Sequence, residues 1–229
     1  MDSSKHSTRT VSPDLAHLLP STQGDVPLGG LAKRLFDIVF SLVALASFLV
    51  PMIVIVLVVR SQTGGPAFFV HWRVGHGGTR IPCLKFRTMY PDAEQRLEEL
   101  LAADSDAREE FLATRKLRSD PRIIPGIGTF LRKSSLDELP QFINVLLGHM
   151  SVVGPRPVTA EEVPMYGPVA PKYLRTRPGI TGLWQVSGRS NTSFQERVDF
   201  DLSYVDNWSF WTDLQIILRT IFVLSKDSC

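Results

Sequence analysis

Apolar residues fill positions 35–59 (LFDIVFSLVALASFLVPMIVIVLVV) almost without interruption, and Asp37 is the one charge in the run. As a single straight helix the run would reach roughly 37 Å at ~1.5 Å per residue, enough for a hydrocarbon core of about 30 Å. Pro51 complicates that reading, because it divides the run into pieces of about 24 and 14 Å, neither of which crosses alone. Lys33 and Arg34 precede the run and Arg60, Arg73 and Arg80 follow it, so the flanking charge assigns no crossing direction. A re-entrant helical hairpin with both ends on one membrane face satisfies that symmetry, and a proline-kinked span is the alternative. Asp37 follows Lys33 by one helical turn, which predicts a carboxylate at the membrane interface paired with Lys33 or Arg34.

Past this run the pattern changes period. Residues 67–73 (AFFVHWR) and 81–87 (IPCLKFR), joined through Gly75, Gly77 and Gly78, predict a β-hairpin. No helix opening follows Gly78, so the glycines do not make a dinucleotide loop, and His71 and His76 lack metal-ligand spacing and read as surface or packing residues. Residues 91–101 and 106–117 carry helix starts and helical apolar spacing. Arg115, Lys116, Arg118 and Arg122 form a denser basic cluster, suited to ordinary surface charge or to lipid headgroups. Near the C-terminus Trp211, Leu214, Leu218 and Ile221 share one helical face, with Asp213 and Arg219 elsewhere. With Trp208 beside them, these residues predict an interfacial helix, core packing being the alternative.

Composition limits what remains. A chain of 229 residues with 44% hydrophobic content allows one domain of ordinary size and a membrane element. The reading is a flexible polar leader at 1–30, a re-entrant membrane hairpin at 31–60 and a cytosolic domain at 61–229 that ends in the interfacial helix. A net charge of +2 argues against a nucleic-acid surface but leaves local groups free to meet phosphate or anionic lipid. Cys83 and Cys229 suggest neither a disulfide framework nor a thiolate metal site, and Cys83 is expected to pack in a reducing cytosol.

The candidate chemistry lies in residues 132–157, RKSSLDELPQFINVLLGHMSVVGPRP, where the adjacent acids Asp137 and Glu138 stand between Arg132 and Arg156. Two neighbouring carboxylates beside fixed cations suit phosphate chemistry, with one acid attacking a phosphoryl centre while the other holds a divalent metal. Ser135 and Glu138 also fit a capping box that merely starts a helix. Pro140 disfavours that start and favours a helix beginning at the proline, with both acids at its entrance. Lys85 and Arg87 alternate with Phe86 and point to one side of their strand, which suits a phosphate pocket or a solvated face.

Four separated segments, LAKRLFDIVFSLVAL, LKFRTM, the 132–157 stretch and RPGITGLWQVSGR, together resemble the bacterial sugar transferase family, the monotopic phosphoglycosyl transferases. The likeness runs from about residue 31 to 226. It implies an α/β, mostly helical monotopic membrane protein with a re-entrant helical hairpin, a small β-hairpin and interfacial amphipathic helices. It implies an enzyme of the bacterial inner membrane, its active site on the cytoplasmic face, that starts exopolysaccharide or capsule synthesis. That enzyme moves a sugar 1-phosphate from a UDP-sugar to polyprenyl (undecaprenyl) phosphate and releases UMP.

The family's roles carry over to Asp137 as nucleophile, through a phospho-aspartyl intermediate, and to Glu138 as ligand of Mg²⁺. Mg²⁺ needs few protein ligands when substrate phosphates complete its octahedron. Lys85, Arg87, Arg132 and Arg156 are the phosphate candidates, while Arg177, Gln185 and Arg189 are nominated for nucleotide or sugar contact. Gly179, Gly182 and Gly188 are expected to permit turns. Where the family often has Ser-Pro at the membrane break this chain has Val50-Pro51, so Ser47, four residues before Pro51, is the hydroxyl nearest the freed carbonyl. GLWQVSGR resembles hexose-1-phosphate transferases, which points to glucose or galactose. Membrane lipid, downstream glycosyltransferases and a possible homodimer complete the partners. A catalytically inactive membrane scaffold of polysaccharide assembly is the alternative.

Overall fold

A computed structural model describes residues 26–114, 117–188 and 192–227. Most of the leader, Arg115, Lys116, Arg189 and Cys229 lie outside the described residues. The architecture is mostly helical, with one long apolar helix and two small sheets.

That helix, α1 (Gly30–Thr63), takes in the whole apolar run and continues through Pro51. Its buried positions are Lys33, Asp37, Ser41 and Ala44, spaced along one face, and then Ile55 and Val59 near the other end. The stretch between them is exposed, including Leu49, Val50, Ile53 and Val54. So the first half of the helix turns Lys33, Asp37 and Ser41 inward while large apolar groups face out, the reverse of a helix on a water-soluble surface.

After α1, β1 (Phe68–Val74) and β2 (Arg80–Phe86) form the expected antiparallel hairpin, with Phe69 opposite Lys85 and His71 opposite Cys83. Helices α2 (Ala93–Ala103) and α3 (Ser105–Thr114) follow as their spacing predicts. Then α4 (Ile127–Ser134) leads through a 3₁₀ turn, Leu136–Glu138, into α5 (Gln141–Leu146). The strand β3 (Ser151–Val153) pairs in parallel with β4 (Gly179–Thr181), across a 3₁₀ stretch Val163–Val169 and α6 (Ala170–Leu174). The chain closes with α7 (Leu183–Ser187), α8 (Phe194–Asp206) and α9 (Phe210–Asp227).

Three hydrophobic clusters hold these pieces, and the hairpin enters all of them, Val74 joining the one built on Val158, Val163 and Tyr173. Ile81 and Cys83 enter a cluster with Val145, Val152, Tyr204 and Ile216. Phe86 enters another with Ile55, Val59, Leu131 and Leu139. Cys83 is a free, buried thiol whose pKa burial pushes up to about 11, so it packs and is unreactive.

Two local expectations are corrected. Asp37 is buried and pairs with neither Lys33 nor Arg34; its Oδ1 accepts from the Ser151 hydroxyl and the Val152 N–H, each at 3.0 Å. Lys33 instead meets Asp213 of α9 at 2.6 Å, while Arg34 donates to the carbonyls of Val145 and Leu146 at the end of α5. The long apolar helix is thus fastened by its polar end to the domain, a long-range arrangement that neighbour spacing along one helix does not reveal.

The second correction concerns glycine. Gly179 and Gly182 are not turn formers; a Cβ on either would collide with the backbone of Gly154. They are small because the 154 and 179–182 segments cross backbone against backbone.

On α9 the outer face carries Trp211, Leu218 and Ile221, while Asp213 is fully buried. The sharing of one face by the apolar residues is as predicted, and that face is turned away from the domain.

Candidate functional site

The acidic dyad occupies a joint between two helices. Serine does not cap here: Ser135 makes no side-chain cap bond and takes the left-handed conformation, φ 58° and ψ 16°, the one non-glycine residue with positive φ among the described residues. Such a conformation is uncommon for a residue with a Cβ and persists where its surroundings hold it. Here they do, since Leu131 before the joint and Leu139 after it are both buried in the cluster that receives Phe86. The joint turns Asp137 and Glu138 toward the hairpin, where Lys85 lies 2.5 Å from Glu138 Oε1 and 3.6 Å from Asp137 Oδ2.

These three groups set each other's charge. Burial pushes the Asp137 carboxyl above its ordinary range; Lys85 and Arg132 pull it down and Glu138 pushes it up. Burial alone would lower Lys85, but Glu138 and Asp137 outweigh it, so its pKa is raised and the ammonium stays charged. The result is a largely buried carboxylate with one lysine beside it and one carboxylate neighbour, an arrangement suited to a nucleophile kept short of full solvation.

The predicted cations divide into those near the dyad and those elsewhere. Lys85 touches it. Arg132 is exposed on the last turn of α4, close enough to act on Asp137 electrostatically. Arg156 stacks over Trp184 at 4.9 Å, and Arg197 stacks on the same ring at 4.9 Å. Arg87 shares the Lys85 face, but its guanidinium donates to the carbonyls of Pro66 and Phe68, tying down the approach to β1. Arg177 donates to the Gly148 carbonyl, on the side of the domain that holds Lys33 and Asp37. Gln185 lies on α7 beside Trp184, and Arg189 is outside the described residues. Ser47 and Pro51 are both exposed on α1.

Two neighbours escaped sequence reasoning. His71 and Arg73 sit two and four residues after Phe69 on the hairpin face that carries Lys85, with Arg73 Nη2 3.1 Å from His71 Nδ1. The signal was present as the alternation F-x-H-x-R opposite K-x-C, which places one basic row on one sheet face. The remaining acid nearby, Asp201, is buried under this region and accepts from the Tyr166 hydroxyl at 2.8 Å and the Arg156 N–H at 3.4 Å. Burial pushes its pKa up to about 7.

A metal would find few protein ligands. Among the described residues no three His, Cys, Asp or Glu side chains converge on one point. Two adjacent carboxylates still fit a hard cation such as Mg²⁺, which keeps most of its water or takes substrate phosphate oxygens in place of a protein cage.

The sequence profile of the family described as bacterial sugar transferase matches residues 28–227. The exopolysaccharide production protein ExoY of Rhizobium meliloti is 48% identical over 218 residues, 95% of either chain. The undecaprenyl-phosphate galactose phosphotransferase of Salmonella typhimurium is 46% identical over 194 residues, 85% of this chain and 40% of that protein. The UDP-glucose:undecaprenyl-phosphate glucose-1-phosphate transferase of Escherichia coli is 37% identical over 209 residues, 86% of this chain and 42% of that one.

Proposed function

The chain belongs to the bacterial sugar transferase family and is a phosphoglycosyl transferase, and we propose that it moves a hexose 1-phosphate from a UDP-sugar to undecaprenyl phosphate, releasing UMP. The observation that carries this reading is the Asp137–Glu138 pair held against Lys85 in a turn with a left-handed entrance. The relatives named for galactose and for glucose keep both hexoses in play. Release of UMP from a panel of UDP-sugars, in nanodiscs with Mg²⁺ and undecaprenyl phosphate, tests it. No release from any donor by folded protein would favour a scaffold instead.

In the proposed reaction an Asp137 oxygen attacks the sugar-bearing phosphorus in line with the bridging oxygen. The bond to that oxygen breaks, and UMP leaves with the electron pair. An oxygen of undecaprenyl phosphate then attacks the acyl phosphate on Asp137, which restores the carboxylate and gives the undecaprenyl diphosphosugar. Lys85 stabilises the charged form of Asp137 and lies where phosphoryl oxygens gain charge; Arg132 can screen the same centre from outside. Glu138 would hold Mg²⁺, which would supply neutralisation of the charge developing on those oxygens.

Lys85→Met gives a sign that can be checked. Removing the cation leaves the burial and Glu138 contributions that raise Asp137. The nucleophile then deprotonates only at higher pH. The acidic limb of the kcat/KM profile for UMP release is expected to move upward, with a rate loss of roughly 100-fold at its plateau. An unmoved limb would remove Lys85 from the control of Asp137.

The same reading places the protein on the cytoplasmic face of the inner membrane, with α1 re-entering that face. Both ends of α1 support it, since Lys33 and Asp37 bond to α9 and β3 while Ile55 and Val59 pack with Phe86 and Leu139 of the same domain. Asp37 and Val59 would stand about 33 Å apart on a straight helix, on opposite sides of a bilayer if the stretch between them spanned it. One folded domain in water cannot meet both. Single cysteines at Val26 and Ser61 should therefore react with an impermeant maleimide from the same, cytoplasmic side; labelling from opposite sides would establish a span.

A further inference from the structure

The basic row on the hairpin extends beyond the dyad. Phe69, His71 and Arg73 alternate onto one face of β1, opposite Lys85, Cys83 and Ile81. At the far end of that row the Val74 N–H donates to the Val158 carbonyl at 2.9 Å, which brings the 156–158 segment alongside Arg73. The Tyr173 hydroxyl then fixes this segment by donating to the Arg156 carbonyl at 2.9 Å and accepting from the Val158 N–H at 3.3 Å. Trp184 supports the Arg156 guanidinium from one side.

Arg73 is held in a similar way. His71 Nδ1 takes one of its guanidinium hydrogens, which needs a neutral imidazole protonated at Nε2 and leaves other donors of the fork unused by that bond. Among the described residues neither Arg73 nor Arg156 forms an ion pair with a carboxylate side chain. Glu162 is the acid acting on Arg73, and its carboxylate already accepts from the Thr159 N–H at 2.7 Å. Two partly buried, positioned guanidiniums beside Lys85, with Glu162 acting on Arg73 and Asp201 on Arg156 from beyond ion-pair distance, form a concentration of positive charge that suits an anion with several oxygens.

We propose that Arg73 and Arg156 together form an anion subsite that grips the phosphate not under attack, with His71 as the positioning residue for Arg73. The proposal rests on the transferase reading and adds Arg73 and His71 to it. The ligand is a phosphate group, supplied either by the nucleotide or by the polyprenyl acceptor. A guanidinium pair is suited to either, and which one it holds decides which half of the reaction it serves.

Arg73→Gln and Arg73→Lys, in the full chain in nanodiscs, separate these sources. If the subsite holds the nucleotide phosphate, Arg73→Gln should raise the donor KM and weaken UMP inhibition by roughly tenfold or more, with the acceptor KM unchanged. If it holds the acceptor phosphate, exchange of labelled UMP into the donor should stay intact while the acceptor KM rises by a similar factor. Arg73→Lys should recover part of either loss, and His71→Phe should shift the same constant less. Unchanged constants within twofold would overturn the proposal. So would a fall in kcat alone with a lowered Tm, the mark of a purely structural arginine. Calorimetric titration of UMP into wild type and Arg73→Gln needs no turnover. An inactive wild type would remove the transferase reading, and equal affinities of wild type and Arg73→Gln for UMP and, in a matching titration, for undecaprenyl phosphate would in that case remove the subsite too.

Discussion

Asp137→Asn is expected to abolish UMP release by at least about 10⁴-fold, the scale seen when a nucleophile is removed from a covalent mechanism. Asn keeps the size and much of the polarity of the side chain but offers no carboxylate oxygen to the phosphorus. The loss should extend to exchange of labelled UMP into the donor, which needs only the first half of the reaction. With donor alone, wild type should gain the mass of a hexose phosphate on Asp137 and the variant should gain none.

The fold should survive that change. Burial raises the Asp137 pKa in the folded state. A carboxyl with a raised folded pKa lowers stability above that pKa, and the deficit disappears as pH falls below the unfolded value. The neutral amide removes the deficit at pH 7, so Tm should stay level or rise slightly. An inactive variant with a much lower Tm would indicate a structural aspartate, and an active one would eliminate covalent catalysis by Asp137 outright.

What the sequence disclosed is mostly what is local. The apolar run, the glycine-linked hairpin, the helix opening at Pro140 and the adjacent acids each need only a few neighbouring residues to be read. Lys85 was nominated for phosphate and is found against the dyad, 53 positions away in the chain, a contact that no spacing rule supplies. The parallel pairing of β3 with β4 escaped because its strands are three residues each and depend on the bare backbone of Gly154 meeting Gly179. The start of α8 was readable, since Ser193 and Glu196 form a complete capping box, whereas the same S-x-x-E spacing at Ser135 forms none. Glu138 is committed to Lys85, and Ser135 turns left-handed, so there the motif serves the site.

The long-range pair that fastens the long apolar helix carries the largest stability prediction. Lys33 and Asp213 are 180 residues apart, buried, and 2.6 Å from each other. Asp213 also accepts from the Tyr204 hydroxyl at 2.8 Å and the Trp208 indole N–H at 3.2 Å, so one carboxylate joins α1, α8 and α9. Asp213→Ala leaves a buried ammonium and an indole N–H without their acceptor, though Tyr204 keeps a bond to the Val153 carbonyl at 3.2 Å. Breaking one side of such a pair costs about 3–5 kcal/mol. At roughly 2–4 °C per kcal/mol for a domain of this size, Tm in detergent should fall by about 10 °C. The double variant Lys33→Met with Asp213→Leu should recover most of that loss, because it removes both charges together and fills their space with apolar atoms. Recovery would show that the ammonium stranded by Asp213→Ala caused the damage. If the double variant is as unstable as Asp213→Ala, the decisive loss is instead the indole and hydroxyl acceptor, and the carboxylate matters as the hub of three helices more than as the partner of Lys33.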